Sequence, residues 1–211
     1  MHPRSRRLAC RLGAAALGIG AAGAGYRFGL RPRILYWGAT DDEVRAELPG
    51  DELLPDADGV STRAITIAAP LAAIYPWLVQ MGPLPRGGAY TYDWIENLLG
   101  LDFHSTDVIL DRFQDPRVGT EIDFGPQTMV IARADTDRAF VIAADDGNWV
   151  WSFTLVPDGE RTRLISRNRY RFAGGAVEVA MMELMIPGSL VMERTMLRGI
   201  RRRAQRLALG G

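Results

Sequence analysis

The sequence predicts an α+β domain over residues 60–207, in which a curved antiparallel sheet surrounds a long C-terminal helix and encloses an apolar cavity. Three observations lead to this prediction. A strand pattern and two short helix patterns begin the region, a series of strand patterns with short connections follows, and an amphipathic helix pattern ends it. With 211 residues, of which 47% are hydrophobic, the chain is long enough for one such core and an N-terminal appendage.

The appendage, residues 1–36, is predicted to be a membrane anchor. An uncharged run of mostly Ala and Gly spans residues 12–26, and arginines flank it on both sides. The run is shorter than the roughly 20 residues of a bilayer span, but snorkelling arginines would extend the membrane contact over residues 8–30. The alternative is a signal peptide that is cleaved near the small-residue triplet at 22–24, followed by secretion. The flanking arginines do not determine the orientation of a single span.

Residues 37–59 are predicted to form an acidic linker. Eight acidic residues, two prolines and two glycines occupy residues 39–59, so the segment is expected to bury little apolar surface and to be extended or a short surface helix. The basic residues are concentrated at the two ends of the chain. Seven arginines lie in residues 1–33 and six in residues 194–211, with no acid in either segment, which suggests contact with an anionic surface such as lipid head groups. The alternative is that the ends are simply solvated, and this is favoured for the C-terminal run taken alone.

The first elements of the domain are predicted from local patterns. An alternation rich in Thr and Ile predicts a strand at Ser61–Ile67. A helix that is short or kinked because of Pro76 is expected to start near Pro70. Apolar spacing predicts a second helix from Tyr90 to Leu99, followed by a helical turn over residues 105–110. Five more strands are predicted at residues 119–124, 128–134, 138–144, 149–156 and 163–172.

The last element is predicted to be a helix from Leu190 to Leu207. Pro187 is expected to break the helical region before it, and Ser189 is a suitable N-terminal cap. Apolar side chains form one stripe along this helix, whereas its arginines fall largely elsewhere. The order of one strand, two short helices, antiparallel strands and a long helix is that of the helix-grip fold. A strongly curved sheet cannot pack flush on a straight helix, and a cavity is therefore expected between them.

Five motifs give the sequence a resemblance to a known family. They are WGATD at 37–41, STRAITI at 61–67, WLVQMG at 77–82, YTYDWIENLLGLDFHS at 90–105 and VMERTMLRGIRRRAQ at 191–205. The sequence resembles the START-like superfamily, also called SRPBCC or polyketide cyclase/dehydrase-like, and within it a membrane-anchored group of actinobacterial type. The resemblance covers residues 35–206. It implies a cavity for lipids, sterols, polyketides or quinones, with catalysis in only some members.

Candidate ligand-binding residues come from strand parity and from one aromatic cluster. Trp149 and Trp151 share a face with Phe153 and are expected to form an apolar wall. Ser166, Asn168 and Tyr170 are expected to point inward on the last strand, where they either bond one another or meet a polar group of a ligand. The remaining candidates are Tyr90, Tyr92, Trp94 and His104 after a glycine-rich loop, and Met192 and Met196 on the last helix.

Catalytic and metal chemistry are less well supported by the sequence. Asp93 or Glu96 with His104 could form an acid/base pair, but no nucleophile motif accompanies them. His104 with Asp102 and Asp107 has loose spacing for a metal site, so no metal or cofactor is expected. Cys10 is the only cysteine, which excludes an intramolecular disulfide.

The predicted function is therefore membrane-tethered binding of a hydrophobic small molecule or lipid. A polyketide cyclase or dehydratase type of enzyme is one alternative. An envelope module that docks through its Arg-rich C-terminal helix is another. Nucleic acid is not an expected partner, because the arginines of the last strand lack interleaved aromatics and the domain is acidic. The sequence does not predict an oligomeric state.

Overall fold

The computed structural model describes residues 18, 20–21, 23–98, 100–172 and 174–210. Within these residues, six strands form one antiparallel sheet in the order β1-β6-β5-β4-β3-β2. The strands β2 to β6 form a meander, and β1 lies beside β6. Their bounds are β1 Gly59–Ile67, β2 Glu121–Asp123, β3 Thr128–Asp135, β4 Ala139–Ala144, β5 Trp149–Asp158 and β6 Arg161–Tyr170.

The helices are mostly short, except for the last one. They are α1 Arg31–Leu35, α2 Asp41–Arg45, α3 Leu71–Val79, α4 Asp93–Leu98 and α5 Gly175–Ala208. A π-helical turn, Tyr26–Leu30, precedes α1, and 3-10 turns occur at Asp51–Leu53 and Asp111–Phe113. The predicted antiparallel sheet with a long C-terminal helix is confirmed, and this element order is that of the helix-grip fold.

The main hydrophobic core lies between the inner face of the sheet, α3 and α5. From α3 it contains Ile74 and Leu78, and from α5 it contains Leu197 and Ile200, all with no exposed surface. Pro76 lies inside α3 without ending it. The strands contribute alternate residues to the same core, as a period of two requires.

The prediction that Pro187 ends a helix is wrong, because α5 continues through this proline over 34 residues. Contacts on the N-terminal side of Pro187 hold that part of the helix in place. Ile186 is buried against Ile34 and Leu35 of α1, and Glu183 accepts two hydrogen bonds from Arg31 Nε at 2.9 and 3.0 Å. Ser189 does not cap a helix, since its hydroxyl donates to the Ile186 carbonyl one turn earlier.

The prediction of a single N-terminal membrane span is also wrong. No helix among the described residues combines the length and the apolar character needed to cross a bilayer. Within the predicted membrane contact at 8–30, residues 8–17, 19 and 22 lie outside the described part of the chain. The part that follows, residues 26–36, contains the Arg31 side chain bonded to Glu183 and lies against α5.

The acidic segment before β1 contains the short surface helix α2, one of its two predicted forms, but it buries more apolar surface than expected. It packs on the outer face of the sheet, where Leu54 is 1% exposed and contacts Val141 and Val150. Arg167, which points outward from β6, forms an ion pair with Asp51 at 2.5 Å and donates to the Ala46 carbonyl at 2.8 Å. The sequence places several arginines on one face of β6 and predicts that this face is solvated and paired with nearby acids. The pairing with acids is observed, but much of the face is covered by protein.

Two predicted helical segments differ in extent. The helix expected from Tyr90 begins only at Asp93. Tyr90 has a positive φ of 61°, which is not helical, and its ring is buried in the core. The turn expected over residues 105–110 is irregular, and the helical turn comes immediately afterwards at Asp111–Phe113.

Candidate functional site

A partly open cavity of about 240 Å³ lies where the inner face of β5 and β6 meets α4, α5 and the loops beside them. Its walls are mostly apolar and aromatic, and a few polar side chains enter it. The cavity is lined by Ala89, Thr91, Glu96, Leu101, Phe103, Phe124, Trp149, Trp151, Asn168, Ser189, Met192, Glu193 and Met196. Such a combination is typical of sites that bind small molecules.

Two stacked tryptophans form one wall of the cavity. The rings of Trp149 and Trp151 have centroids 5.8 Å apart and lie 18° from parallel. Trp149 Nε1 donates to Asn168 Oδ1 and Trp151 Nε1 donates to Ser166 Oγ, each at 2.9 Å. The predicted parity of the two strands is thus observed, and the inward polar residues serve first as partners of the indole N–H groups.

A buried ion pair lies behind this wall. Arg63 of β1 and Glu193 of α5 form a short ion pair with side chains that are 1% and 8% exposed. Arg63 also donates through Nε to the Ile34 carbonyl and through Nη2 to Ser189 Oγ. Burial raises the pKa of Glu193, whereas the positive charge of Arg63 acts in the opposite direction.

This pair was not predicted from the sequence, although each of its residues shows a signal there. Arg63 lies two and four residues before Ile65 and Ile67 in the predicted strand and therefore shares the parity of its apolar face. Glu193 lies three and seven residues before Met196 and Ile200, on the apolar stripe of α5. A charged residue at an inward position needs a buried partner, but the two are separated by 130 positions and no local pattern joins them.

The second acidic group of the cavity is Glu96 of α4. It is 8% exposed, and its Oε2 atom has no hydrogen-bond partner among the described residues. Burial, with a smaller contribution from the negative charge of Asp93, raises the pKa of Glu96 to about 6. Glu96 can therefore exchange a proton near neutral pH inside a largely apolar site.

Some of the predicted ligand-binding residues do line the cavity. These are Trp149, Trp151, Asn168, Met192 and Met196, together with Glu96 from the catalytic candidates.

Ser166 and Tyr170 do not line the cavity. Ser166 is fully buried behind the indole of Trp151. The Tyr170 ring contacts Phe172 at a centroid distance of 5.6 Å and lies close to Gly59.

The rest of the predicted aromatic cluster also lies outside the cavity. Tyr90 is buried, donates its hydroxyl to the Trp77 carbonyl at 2.9 Å and lies under the guanidinium of Arg203. Tyr92 and Trp94 are 41% and 68% exposed. Trp94 and Glu96 are two residues apart on α4, which places them on nearly opposite sides of the helix.

The expected acid/base group is not assembled. Asp93 accepts hydrogen bonds from the Ser105 amide at 2.8 Å and hydroxyl at 2.6 Å, so it holds the following loop. His104 is exposed and pairs with Asp102 at 3.1 Å. In the part of the chain that the structure describes, no group of three or more His, Cys, Asp or Glu residues could hold a metal ion.

A wider groove of about 690 Å³ lies on the outer face of the sheet, beside the acidic segment. Charged side chains such as Arg133, Arg167 and Glu52 line it. Arg133 and Arg167 already pair with Glu52 and Asp51. Apolar side chains also line this groove, but charged side chains are far more numerous there than in the cavity. We therefore take the cavity as the candidate site.

The Arg-rich end of α5 is largely engaged within the molecule. Arg203 and Arg206 both pair with Asp107, at 2.8 and 3.0 Å. The guanidinium groups of Arg194 and Arg198 lie over the Trp37 ring, 5.2 and 5.9 Å from its centroid. These four arginines therefore stabilise contacts within the domain, between α5 and the segments that contain Trp37 and Asp107.

Comparisons with known proteins add little about function. No protein-family model matches the sequence, and no curated protein matches it. A polyketide cyclase-like protein from Corynebacterium glutamicum is 18% identical, over 69% of this chain and 91% of that one, with a TM-score of 0.46. An AHSA1-like protein from Aeromonas hydrophila is 10% identical, over 70% and 94%, with a TM-score of 0.38. The function is therefore argued from the cavity itself.

Proposed function

We propose that this domain binds a hydrophobic small molecule in the cavity between the sheet and α5. The observation that carries the proposal is the composition of the cavity wall. Stacked Trp149 and Trp151, two phenylalanines and two methionines offer apolar contact, and only a few polar groups are present to orient a ligand. The resemblance of the sequence to the START-like superfamily agrees with this function.

The volume limits the size of the ligand. At about 240 Å³, the cavity is at or below the lower end of the range of roughly 300–1,000 Å³ that is usual for ligand pockets. A compact ring system or a short chain fits such a space better than a lipid with two long acyl chains. Met192, which is partly exposed, contributes a flexible side chain to one wall.

A binding titration with methylnaphthalene, a neutral and apolar probe, tests the proposal. The indoles of Trp149 and Trp151 line the cavity, so their fluorescence should change on binding. Met192→Trp fills part of the cavity and should weaken binding by about tenfold or more. Met181→Trp, on the exposed surface of the same helix, should leave it unchanged. Absence of saturable binding to the folded wild-type protein, by fluorescence and by calorimetry, would overturn the proposal.

A second candidate function is catalysis by proton transfer from or to Glu96. The favouring observation is a carboxyl group with a pKa of about 6 inside the cavity, because general acids and bases work best when their pKa is near the working pH. Incubation with a synthetic poly-β-ketone, followed by detection of cyclised or dehydrated product, tests it. Turnover that Glu96→Gln abolishes would support catalysis, whereas binding without turnover would leave only the binding function.

A further inference from the structure

We infer that the ligand of the cavity carries a neutral hydrogen-bond donor, a hydroxyl group on an apolar body, and that Glu96 or Glu193 accepts the hydrogen bond from it. The inference rests on the proposed binding function and specifies the class of ligand. It follows from the hydrogen bonds of the polar groups that line the cavity. Two acceptor oxygens there have no donor, whereas most of the donors already have an acceptor.

The acceptors of the cavity have unused capacity. Glu193 receives Arg63 and, at 3.4 Å, Asn168 Nδ2 on its Oε2 atom. Its Oε1 atom is buried and has no hydrogen-bond partner among the described residues, and the same holds for Glu96 Oε2. Leaving such atoms buried without partners is unfavourable, so a ligand that donates to either of them is favoured.

Most donors of the cavity, in contrast, already have acceptors. The Thr91 hydroxyl, which also lines it, acts on Glu96 itself, where its hydrogen bond lowers the pKa of the carboxyl group. The indole N–H groups of Trp149 and Trp151 bond Asn168 and Ser166. The Ser189 hydroxyl donates to the Ile186 carbonyl at 2.8 Å. A carboxylate or another acceptor group on the ligand would meet two acidic side chains and would have to displace these bonds. The cavity therefore disfavours fatty acids and other organic anions.

At Glu193, the charge balance argues against a cationic donor as well. The charge of Glu193 is already opposed by Arg63, which is 1% exposed and has no access to water. An ammonium group would lose its hydration and lie close to a second buried cation. A hydroxyl group provides the missing hydrogen bond without adding a charge.

The experiment compares four ligands that share a naphthalene ring: methylnaphthalene, β-naphthol, naphthoate and naphthylmethylammonium. Titration at about pH 7.5 keeps Glu96 largely ionised, since this is above its pKa of about 6. A hydrogen bond to a charged acceptor should make β-naphthol bind about ten- to a hundredfold more tightly than methylnaphthalene. Naphthoate and naphthylmethylammonium should bind more weakly than β-naphthol.

Glu96→Gln provides the matched variant, because the amide has the same shape but no charge. This variant should reduce the factor by which β-naphthol binds more tightly than methylnaphthalene. Glu160→Gln, in the exposed turn between β5 and β6, should not change this factor. Circular dichroism verifies that both variants are folded.

The possible outcomes separate this inference from the proposed function. If methylnaphthalene binds and β-naphthol binds no better, or if naphthoate or the ammonium ligand binds best, the hydroxyl inference is overturned and the binding function stands. If β-naphthol is preferred but Glu96→Gln keeps the full preference, the role of Glu96 is overturned. If none of the four ligands binds to the folded protein, the proposed function itself fails.

Discussion

Arg63 on β1 and Glu193 on α5 form an ion pair across the interior, with side chains that are 1% and 8% exposed. The pair joins the strand at one edge of the sheet to the helix that covers the cavity. A buried charge is tolerated only when it has partners, and Arg63 has further acceptors in the Ile34 carbonyl and in Ser189. The same contacts bring α1, β1 and α5 together.

Removal of one member of this pair should destabilise the protein strongly. Arg63→Met leaves the Glu193 carboxyl buried without its counter-charge, and we expect a loss of about 3–5 kcal/mol in the free energy of unfolding. Urea unfolding measures this change. Arg161→Met, which removes an exposed arginine with only a surface ion pair, should change the value by less than about 1 kcal/mol.

The double variant Arg63→Met/Glu193→Leu tests the cause of that loss. Since both charges are then absent, much of the stability of the single variant should be regained. A double variant that is as unstable as Arg63→Met would mean that the packing of the arginine stem, and not the unpaired carboxyl, accounts for the effect.

Arg167 should hold the acidic segment on the outer face of the sheet. Its side chain is 2% exposed and bonds Asp51, the Ala46 carbonyl and the Glu43 carbonyl. In Arg167→Met we expect faster amide hydrogen exchange throughout residues 41–53, because these contacts are lost while the apolar stem is kept. Arg171→Met, at an exposed position next to the same strand, should leave this exchange unchanged.

Local periodicity made the strands and part of the cavity predictable. Successive side chains on a strand alternate between faces, so the sequence alone placed Trp149, Trp151 and Asn168 on the inner side, where the structure has them. The same reasoning found the apolar stripe of α5. That Trp151 separates Ser166 from the cavity was not predictable in this way, since it depends on the side-chain conformations of residues on neighbouring strands.

Contacts between distant residues explain the features that were predicted wrongly. The helix α5 continues through Pro187 while Arg31 and Glu183, which are 152 positions apart, hold its first half against the N-terminal segment. The acidic segment packs on the sheet because Arg167 reaches Asp51. Neither pairing produces a pattern within a short window of sequence.

Two glycines of α5 provide a matched pair with expected effects of opposite sign. A Cβ atom at Gly199 would lie 2.3 Å from the Tyr90 carbonyl oxygen, so Gly199→Ala must push the helix away from this loop. We expect a destabilisation of about 1–3 kcal/mol. A Cβ atom at Gly188 meets nothing within 4 Å, and Gly188→Ala should raise stability by about 0.5–1 kcal/mol.

Thermal unfolding of both variants measures these changes. The result at Gly188 also tests the continuity of α5, because alanine is favoured there only if the residue after Pro187 is helical. An unchanged or lower melting temperature for Gly188→Ala would contradict an unbroken helix at this point.

Glu96 should make the stability of the protein depend on pH. Its pKa rises from 4.5 to about 6 on folding, so the folded state binds the proton more tightly than the unfolded state. The stabilisation from proton binding is fully present below pH 4.5 and is lost as the pH rises through about 6. Glu96→Gln has no such proton, and its stability relative to the wild type should therefore increase as the pH passes from about 4.5 to above 6.

Urea unfolding of the wild type and of Glu96→Gln over this pH range measures the effect. Glu160→Gln is the control, because Glu160 is exposed and the difference between this variant and the wild type should stay constant with pH. If the difference between Glu96→Gln and the wild type is equally constant, the Glu96 carboxyl is not desolvated in the folded protein. The unpaired Oε2 atom would then be in contact with water, and a ligand hydroxyl would gain little by bonding to it.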